Sequence, residues 1–333
     1  MKAFQVSAYG EDATFHEVEV DKPQVTAGHV LLDVRATSLN PVDFMIRTAN
    51  IGLNPTLPAT LHMDVAGIVV EVGEGVDTFK PGDEVYGCAG GLQGPAGKLD
   101  GALADYMLAD ANLLANKPKS LGFGDSASLP LVSITAYEAL LDRARMTVDD
   151  HVLVHAGTGG VGHVALQMAK ILGAKVATTV SGESKAQIAS SLGADEIINY
   201  KSEDLESYVR RLTDGRGFDI VFDTVGGPNL DLSFQASRAN GQVCAIIGMG
   251  THDLTPMHLK GLTLHLIFML LPMLTGEGRR RHGEIMQQVA AWADAGKLKP
   301  LVNAQRFQFE QANEAHALFA SGKQVGKIVL ERS

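Results

Sequence analysis

Cysteine is scarce in this chain: its 333 residues include only Cys88 and Cys244. Two thiols cannot make a disulfide framework or a four-cysteine zinc lobe, and they fit a reducing compartment such as the cytoplasm. Long apolar runs are also missing. The longest, Leu262 to Leu274, is broken by His265 and Pro272 and is too short to span a bilayer. It reads as a buried strand or a subunit interface. The opening stretch MKAFQVSAYGEDATF lacks the apolar core of a signal peptide. Positive charge is scarce too, with 28 Lys and Arg against 38 Asp and Glu, for a net charge of −10. No cationic run exceeds Arg279-Arg280-Arg281, which reads as the solvated start of a helix. A nucleic-acid binder would carry a basic face. These absences predict a soluble protein whose partner is a small molecule, not nucleic acid and not a membrane.

Hydrophobic residues make up 45% of the chain and charged residues 20%, as in a folded globular protein, and the length predicts two domains. The first third is β-rich. Val30 to Val34 and Ala66 to Val72 read as strands, and Pro81-Gly82 marks a turn into another. This spacing suggests a small barrel or sandwich. Gly90 to Gly101, rich in glycine, reads as a mobile loop. Near Ser120 the texture changes. Helical periodicity covers Ser126 to Leu141, with a cap at Asp125 or Ser126. Strands at 152–155, 175–180, 196–199, 220–223 and 242–247 then alternate with helices at 161–172, 184–192 and 205–212. Repeated β-α-β units mean a parallel sheet covered on both faces. The tail holds an amphipathic helix from Gly283 to Ala295, another from Phe309 to Ser321, and a closing strand, Val325 to Leu330. The predicted fold class is α/β: a doubly wound parallel sheet over residues 125–266, inserted into a β-rich domain of residues 1–124 and 267–333. Trp292 is assigned to the core, Tyr86 to a cleft, and His155 and His163 to packed positions.

The central motif is His155-Ala156-Gly157-Thr158-Gly159-Gly160-Val161-Gly162, between an apolar strand and a helix. In that context the early glycines allow a tight turn and the middle ones let backbone approach a pyrophosphate. Gly162 lets helix and strand pack closely. The helix N-terminus offers free N–H groups to phosphate. A site for NAD would place a carboxylate at the end of the second strand. Here Ser181 follows that strand and Lys185 lies one helical turn on, a pairing suited to the 2′-phosphate of NADPH. Glu183 stands two residues further along and is expected to point to solvent.

Several stretches together resemble the medium-chain dehydrogenase/reductase superfamily, most closely its quinone oxidoreductase branch, which includes the zeta-crystallins. They are Asn40-Pro41-Val42-Asp43, Asp64-Val65-Ala66-Gly67, Pro81-Gly82-Asp83-Glu84-Val85, Gly101-Ala102-Leu103-Ala104-Asp105-Tyr106 and Thr135-Ala136-Tyr137. The glycine turn, Leu192-Gly193-Ala194-Asp195 and Gly326-Lys327-Ile328-Val329 complete the set. The resemblance implies a GroES-like catalytic domain, a Rossmann domain, and NADPH in the cleft between them. It implies cofactor contacts at Ser181, Lys185 and Tyr200, with Thr135 near the nicotinamide. Thr224 and Val225, Gly248, Met249 and Gly250 would line the cofactor's path. Phe268, Met269 and Leu270 would approach the carboxamide and help to form a homodimer.

Zinc alcohol dehydrogenases of the superfamily hold their metal with Cys, His and Cys. Aligned motifs put Asn40, Met63 and Leu131 there, and none is a good zinc ligand. His62 is adjacent to Met63, but one imidazole does not make a site. Without a Lewis acid, the easier chemistry is hydride transfer to an already electrophilic carbon, in a quinone or an α,β-unsaturated carbonyl compound. Asn40 is the candidate donor to the developing oxyanion, Asp43 orients it or closes a polar network, and Arg47 assists; each also reads as a plain turn or helix-cap residue. Relatives often carry a tyrosine where this chain has Ile51, so the hydroxyl it would offer for proton delivery and substrate choice is missing. Two other readings stay open: an alcohol or aldehyde dehydrogenase using zinc, and a non-catalytic NADPH-binding protein.

Overall fold

The strand His29–Leu39 organises the N-terminal part of the chain. Its first half pairs antiparallel with Tyr106–Asp110 and its second half with Ile328–Glu331. Asp64–Val72 runs along the other edge, with register shifts at Leu31/Leu32 and Val34/Ala36. Such bulges bend a strand and let the sheet curl. From that edge the sheet continues through Glu84–Cys88 to Leu114–Asn116; beyond Ile328–Glu331 it ends on Phe307–Gln308. A smaller sheet joins His16–Glu19, Lys2–Val6 and Ala59–Thr60. The computed structural model describes residues 1–333 and divides into two units. This first unit comprises residues 1–134, 270–296 and 300–333; the second comprises 135–269 and 297–299.

The second unit is a six-stranded parallel sheet. Its order is Glu196–Asn199, Lys175–Val180, His151–Val154, Phe218–Asp223, Ser237–Ala245, Thr263–Leu266. The chain order reverses beside His151–Val154, which makes the crevice next to Phe218–Asp223 the topological switch point, where such sheets bind ligands. Helices Gly160–Ile171, Glu183–Ser191, Leu205–Thr213 and Pro228–Ala236 form the crossovers. Leu153, Ala177, Ile198, Phe218, Val221 and Val243 join Leu230 and Phe234 in one buried cluster. Apolar strands buried on both faces are what covering helices require. Asp204 caps Leu205–Thr213 by accepting from the Ser207 amide at 2.8 Å. No helix is long and apolar enough to cross a membrane.

Several local expectations are corrected. Gly90 to Gly101 is not a mobile loop: Leu92–Gly94 and Gly97–Leu99 pair as a hairpin. A Cβ on Gly90 would lie 1.9 Å from the Asp100 carbonyl oxygen, so this glycine serves close approach, not mobility. The periodic stretch after Ser120 becomes Phe123–Ala127, Pro130–Tyr137 and a wide turn at Glu138–Arg143. Gly122, not Asp125 or Ser126, stands at its start; both of those residues lie inside Phe123–Ala127, and the Asp125 carboxylate pairs with Arg306. Pro130, lacking an N–H, divides the first two segments. Within the apolar run 262–274, Thr263–Leu266 is an edge strand and not a buried one, with Leu266 55% and Phe268 53% exposed. Tyr86 is fully buried, its hydroxyl donating to the Met286 carbonyl at 2.7 Å. Trp292 is only half-buried; Ile285, Met286, Val289 and Ala293 carry the core face of helix Arg279–Asp294. Arg279 opens that helix but is not solvated, since it donates to Asp110 at 3.0 Å and to the Met273 carbonyl at 2.6 Å.

Candidate functional site

The strand His151–Val154 delivers the chain to the glycine turn. His155 is buried; its carbonyl accepts the Thr224 hydroxyl at 2.6 Å and its amide donates to Phe222 at 3.0 Å. Burial holds this imidazole down to about 4, so it is neutral. Ala156 adopts a left-handed φ of +53°, which reverses the chain and aims its carbonyl at the Gly159 amide, 2.8 Å away. The turn then packs too tightly for side chains. A Cβ on Gly157 would lie 2.1 Å from Thr178 Oγ1, and one on Gly162 would lie 2.1 Å from the Ala156 carbonyl oxygen. Gly159 stands at the N-cap of Gly160–Ile171, and no side chain caps it. The first-turn amides at Gly160, Val161 and Gly162 are therefore left for a ligand, and the dipole favours an anion. Thr158 is buried in the same turn. The cradle fits a dinucleotide pyrophosphate.

Several other cofactor candidates follow the C-terminal ends of strands in this sheet. Ser181 directly follows the second strand and is half-buried. Lys185 lies in the first turn of Glu183–Ser191, also half-buried. Tyr200 follows Glu196–Asn199, its side chain 58% exposed and its amide donating to Val180 at 3.2 Å. Glu183, the nearest carboxylate, is exposed and accepts from Gln187 at 3.4 Å. Thr224 and Val225 follow the fourth strand, in a loop tied by Asp223, which accepts the Val225 and Gly226 amides at 2.8 and 2.9 Å. Gly248, Met249 and Gly250 are exposed after the fifth strand. Phe268 is exposed, whereas Thr135, Met269 and Leu270 are buried.

In the first unit, Asn40 and Asp43 meet in a buried polar cluster. Asn40 stands at the N-cap of helix Pro41–Thr48. Asp43 accepts the Asn40 amide at 2.8 Å and the Met63 amide at 3.1 Å. The Asn40 carboxamide donates to Asp64 at 2.8 Å and accepts from Lys327. Asp64 also accepts from Ser38 at 2.7 Å and from the Leu131 amide at 2.9 Å. Burial, and then the Asp64 charge, push Asp43 up to about 7, while hydrogen bonding from Asn40 and the Lys327 charge act against the rise. Arg47 lies apart from this cluster: it donates to His316 Nδ1 at 3.1 Å and to the Ala13 carbonyl. Sequence reasoning did not assign Asp64, Lys327, His62 or His316 to a site. A lysine inside an apolar closing segment was the available signal for Lys327. Its partner lies 263 residues away.

These residues do not fit a zinc ion. Asn40 is committed to Asp64 and Lys327, Leu131 offers no side-chain donor, and the Lys327 ammonium lies among the remaining groups. No group of three His, Cys, Asp or Glu side chains is arranged to hold a metal.

Residues 26–119 match the alcohol dehydrogenase GroES-like domain, and residues 192–330 match the family described as zinc-binding dehydrogenase. The chain is 33% identical to an NADPH-dependent alkenal/one oxidoreductase of Arabidopsis thaliana chloroplasts, over 99% of this chain and 79% of that protein. An alcohol dehydrogenase superfamily protein from Novosphingobium aromaticivorans shares its structure with a TM-score of 0.95 and 38% identity, covering both chains completely. The Escherichia coli quinone oxidoreductase complexed with NADPH matches with a TM-score of 0.87 and 26% identity, over 99% of this chain and 100% of that one. With its glycine turn, its six-stranded parallel sheet and its curled antiparallel sheet, this chain belongs to the medium-chain dehydrogenase/reductase superfamily, alongside its quinone oxidoreductases and enone reductases.

Proposed function

We propose that this protein is an NADPH-dependent oxidoreductase that reduces a quinone or an α,β-unsaturated carbonyl compound by hydride transfer without a metal. One observation carries the reading: an uncapped, glycine-packed helix start at the switch point, beside a second strand that is followed by Ser181 instead of a carboxylate. The amides of Gly160, Val161 and Gly162 bind the pyrophosphate, Gly157, Thr158 and Gly159 shape the turn that brings them to it, and Ser181, Lys185 and Tyr200 hold the 2′-phosphate. Thr224, Val225 and Gly248 to Gly250 border the cofactor, with Thr135, Phe268, Met269 and Leu270 toward its nicotinamide end. When bound, the reduced nicotinamide supplies the hydride. Asn40, expected as the oxyanion donor, is buried with its carboxamide engaged by Asp64 and Lys327, so Asn40, Asp43 and Arg47 serve the substrate side as positioning residues that fix the two ends of helix Pro41–Thr48. A proton from water or a side chain completes the reduction. The relatives named as quinone and alkenal/one oxidoreductases support this substrate class.

Stopped-flow NADPH oxidation against quinones, alkenals and cyclic enones tests the proposal. Turnover with at least one class, unchanged by a chelator, is expected. A stoichiometric zinc requirement would overturn the metal-free step, and no turnover with any acceptor would leave only an NADPH-binding protein. Lys185→Ala tests the cofactor assignment. Losing a charge-assisted contact of about 1.5–3 kcal/mol weakens NADPH by roughly ten- to a hundredfold. NADH affinity should stay nearly unchanged in a fluorescence titration. Equal weakening of both cofactors would refute the role of Lys185.

The assembly that fits is a homodimer built on the exposed edge strand Thr263–Leu266, with Leu266 and Phe268 beside it. A cytoplasmic location suits two buried cysteines with no disulfide between them.

A further inference from the structure

Two buried histidines meet in the first unit, 2.9 Å apart at their Nε2 atoms. His62 lies between Ala59–Thr60 and Asp64–Val72, and His316 lies on helix Ala312–Ala320. Neighbouring donors settle where the protons sit. Arg47 Nε can only donate, and it lies 3.1 Å from His316 Nδ1. His316 therefore carries its hydrogen on Nε2 and directs it at His62. His62 Nε2 must accept, so its own hydrogen is on Nδ1, facing Thr37 Oγ1 at 3.5 Å. Thr37 in turn donates to the Asp64 carbonyl at 2.5 Å. Phe15 packs against both rings, at centroid distances of 6.0 and 4.9 Å, and Phe44 stacks on His316 at 6.0 Å. The arrangement is costly. Two imidazoles are removed from water, and His62 holds a left-handed φ of +75°.

We propose that His62 and His316 form an acid-sensitive latch, which fastens helix Ala312–Ala320 to the core of the first unit and releases it when a ring takes up a proton. A proton on His316 turns Nδ1 into a donor facing the Arg47 donor. A proton on His62 does the same at its contact with His316.

The surrounding charges reinforce this. Burial does most, and Lys327 adds to it, to push His62 down to about 3. Burial, His62 and Arg47 hold His316 well below the ordinary histidine value. The nearby carboxylates Asp43 and Asp64 are already occupied by Asn40, Met63, Ser38, Leu131 and Lys327. Glu11 and Asp12, in the loop leading to Phe15, and Glu314, on the latched helix, are exposed. Both imidazoles are depressed, so the latch is complete above an ordinary histidine value of 6.5 and weakens as pH falls below it. Asp43, pushed up to about 7, works in the opposite sense if its own helix opens, so the readout has to be local.

The test is amide hydrogen exchange across residues 312–320 in the full chain, corrected for chemical exchange, between about pH 6 and about pH 4. Uptake of one proton on His316 raises the opening constant about tenfold per pH unit. His316→Gln keeps a neutral donor toward His62 and should flatten that dependence. Imidazole 15N shifts need no variant: in the folded chain at about pH 5.5 both rings should be neutral, with Nε2–H on His316 and Nδ1–H on His62. The proposal is overturned by a ring that titrates at an ordinary value in the folded chain. Opening that ignores pH in the unaltered chain, or a dependence that persists in His316→Gln, would overturn it equally.

Discussion

Lys327→Met is expected to destabilise the first unit by about 3–5 kcal/mol, the range for removing one partner of a buried ion pair. Lys327 is 3% exposed and donates to the Leu39 carbonyl at 3.1 Å, to Asn40 and to Asp64 at 3.5 Å. Methionine matches its length but leaves Asp64 buried beside Asp43 with no cation. Asn40 loses its donor as well. The exposed pair Lys80–Asp83, at 2.8 Å, is shorter yet screened by water, so Lys80→Met should change little. Burial, not distance, decides which lysine matters. Urea unfolding followed by first-unit probes measures the effect. Lys327→Met combined with Asp64→Asn should recover part of the loss, because the orphaned charge is gone. A loss below about 1 kcal/mol in the single variant would show that the cluster is open to solvent.

Gly162→Val should abolish NADPH binding, with affinity falling more than about a hundredfold, and should destabilise the second unit by about 1–3 kcal/mol or more through overpacking. Its Cβ would fall 2.1 Å from the Ala156 carbonyl oxygen and 2.8 Å from the carbonyl carbon. Both atoms are backbone, so no rotamer relieves the clash. The turn has to move away from the helix start, and the amides that face the pyrophosphate move with it. Gly159→Ala provides the contrast. Its Cβ would meet the same oxygen at 3.1 Å with φ at −81°, so the fold tolerates it. Calorimetric titration with NADPH, paired with urea unfolding, separates binding from stability. Gly162→Val binding NADPH within about threefold of the unaltered chain would contradict the cradle.

The parallel sheet and the glycine cradle were legible in the sequence because their signals are local. Strand and helix periods repeat over a few residues, and the turn from His155 to Gly162 needs small residues at fixed short spacings. The positions of Ser181, just after one strand, and Lys185, in the first turn of the next helix, were readable for the same reason. Gly90 to Gly101 was misread because glycine permits both mobility and close approach, and composition does not say which one the neighbours impose. Tyr86 was misplaced for a related reason: the carbonyl that holds its hydroxyl lies 200 residues away.

Residue order alone determined the α/β class, the glycine-packed turn and the serine, in place of a carboxylate, that follows the second strand. Tertiary structure alone decided that Lys327 neutralises Asp64, that Asn40 is held between them, and that His62 pairs with His316 across 254 residues. Turn and helix chemistry acts between near neighbours in the chain. The energy of a buried charge or imidazole is set by whichever distant groups the fold brings to exclude water around it.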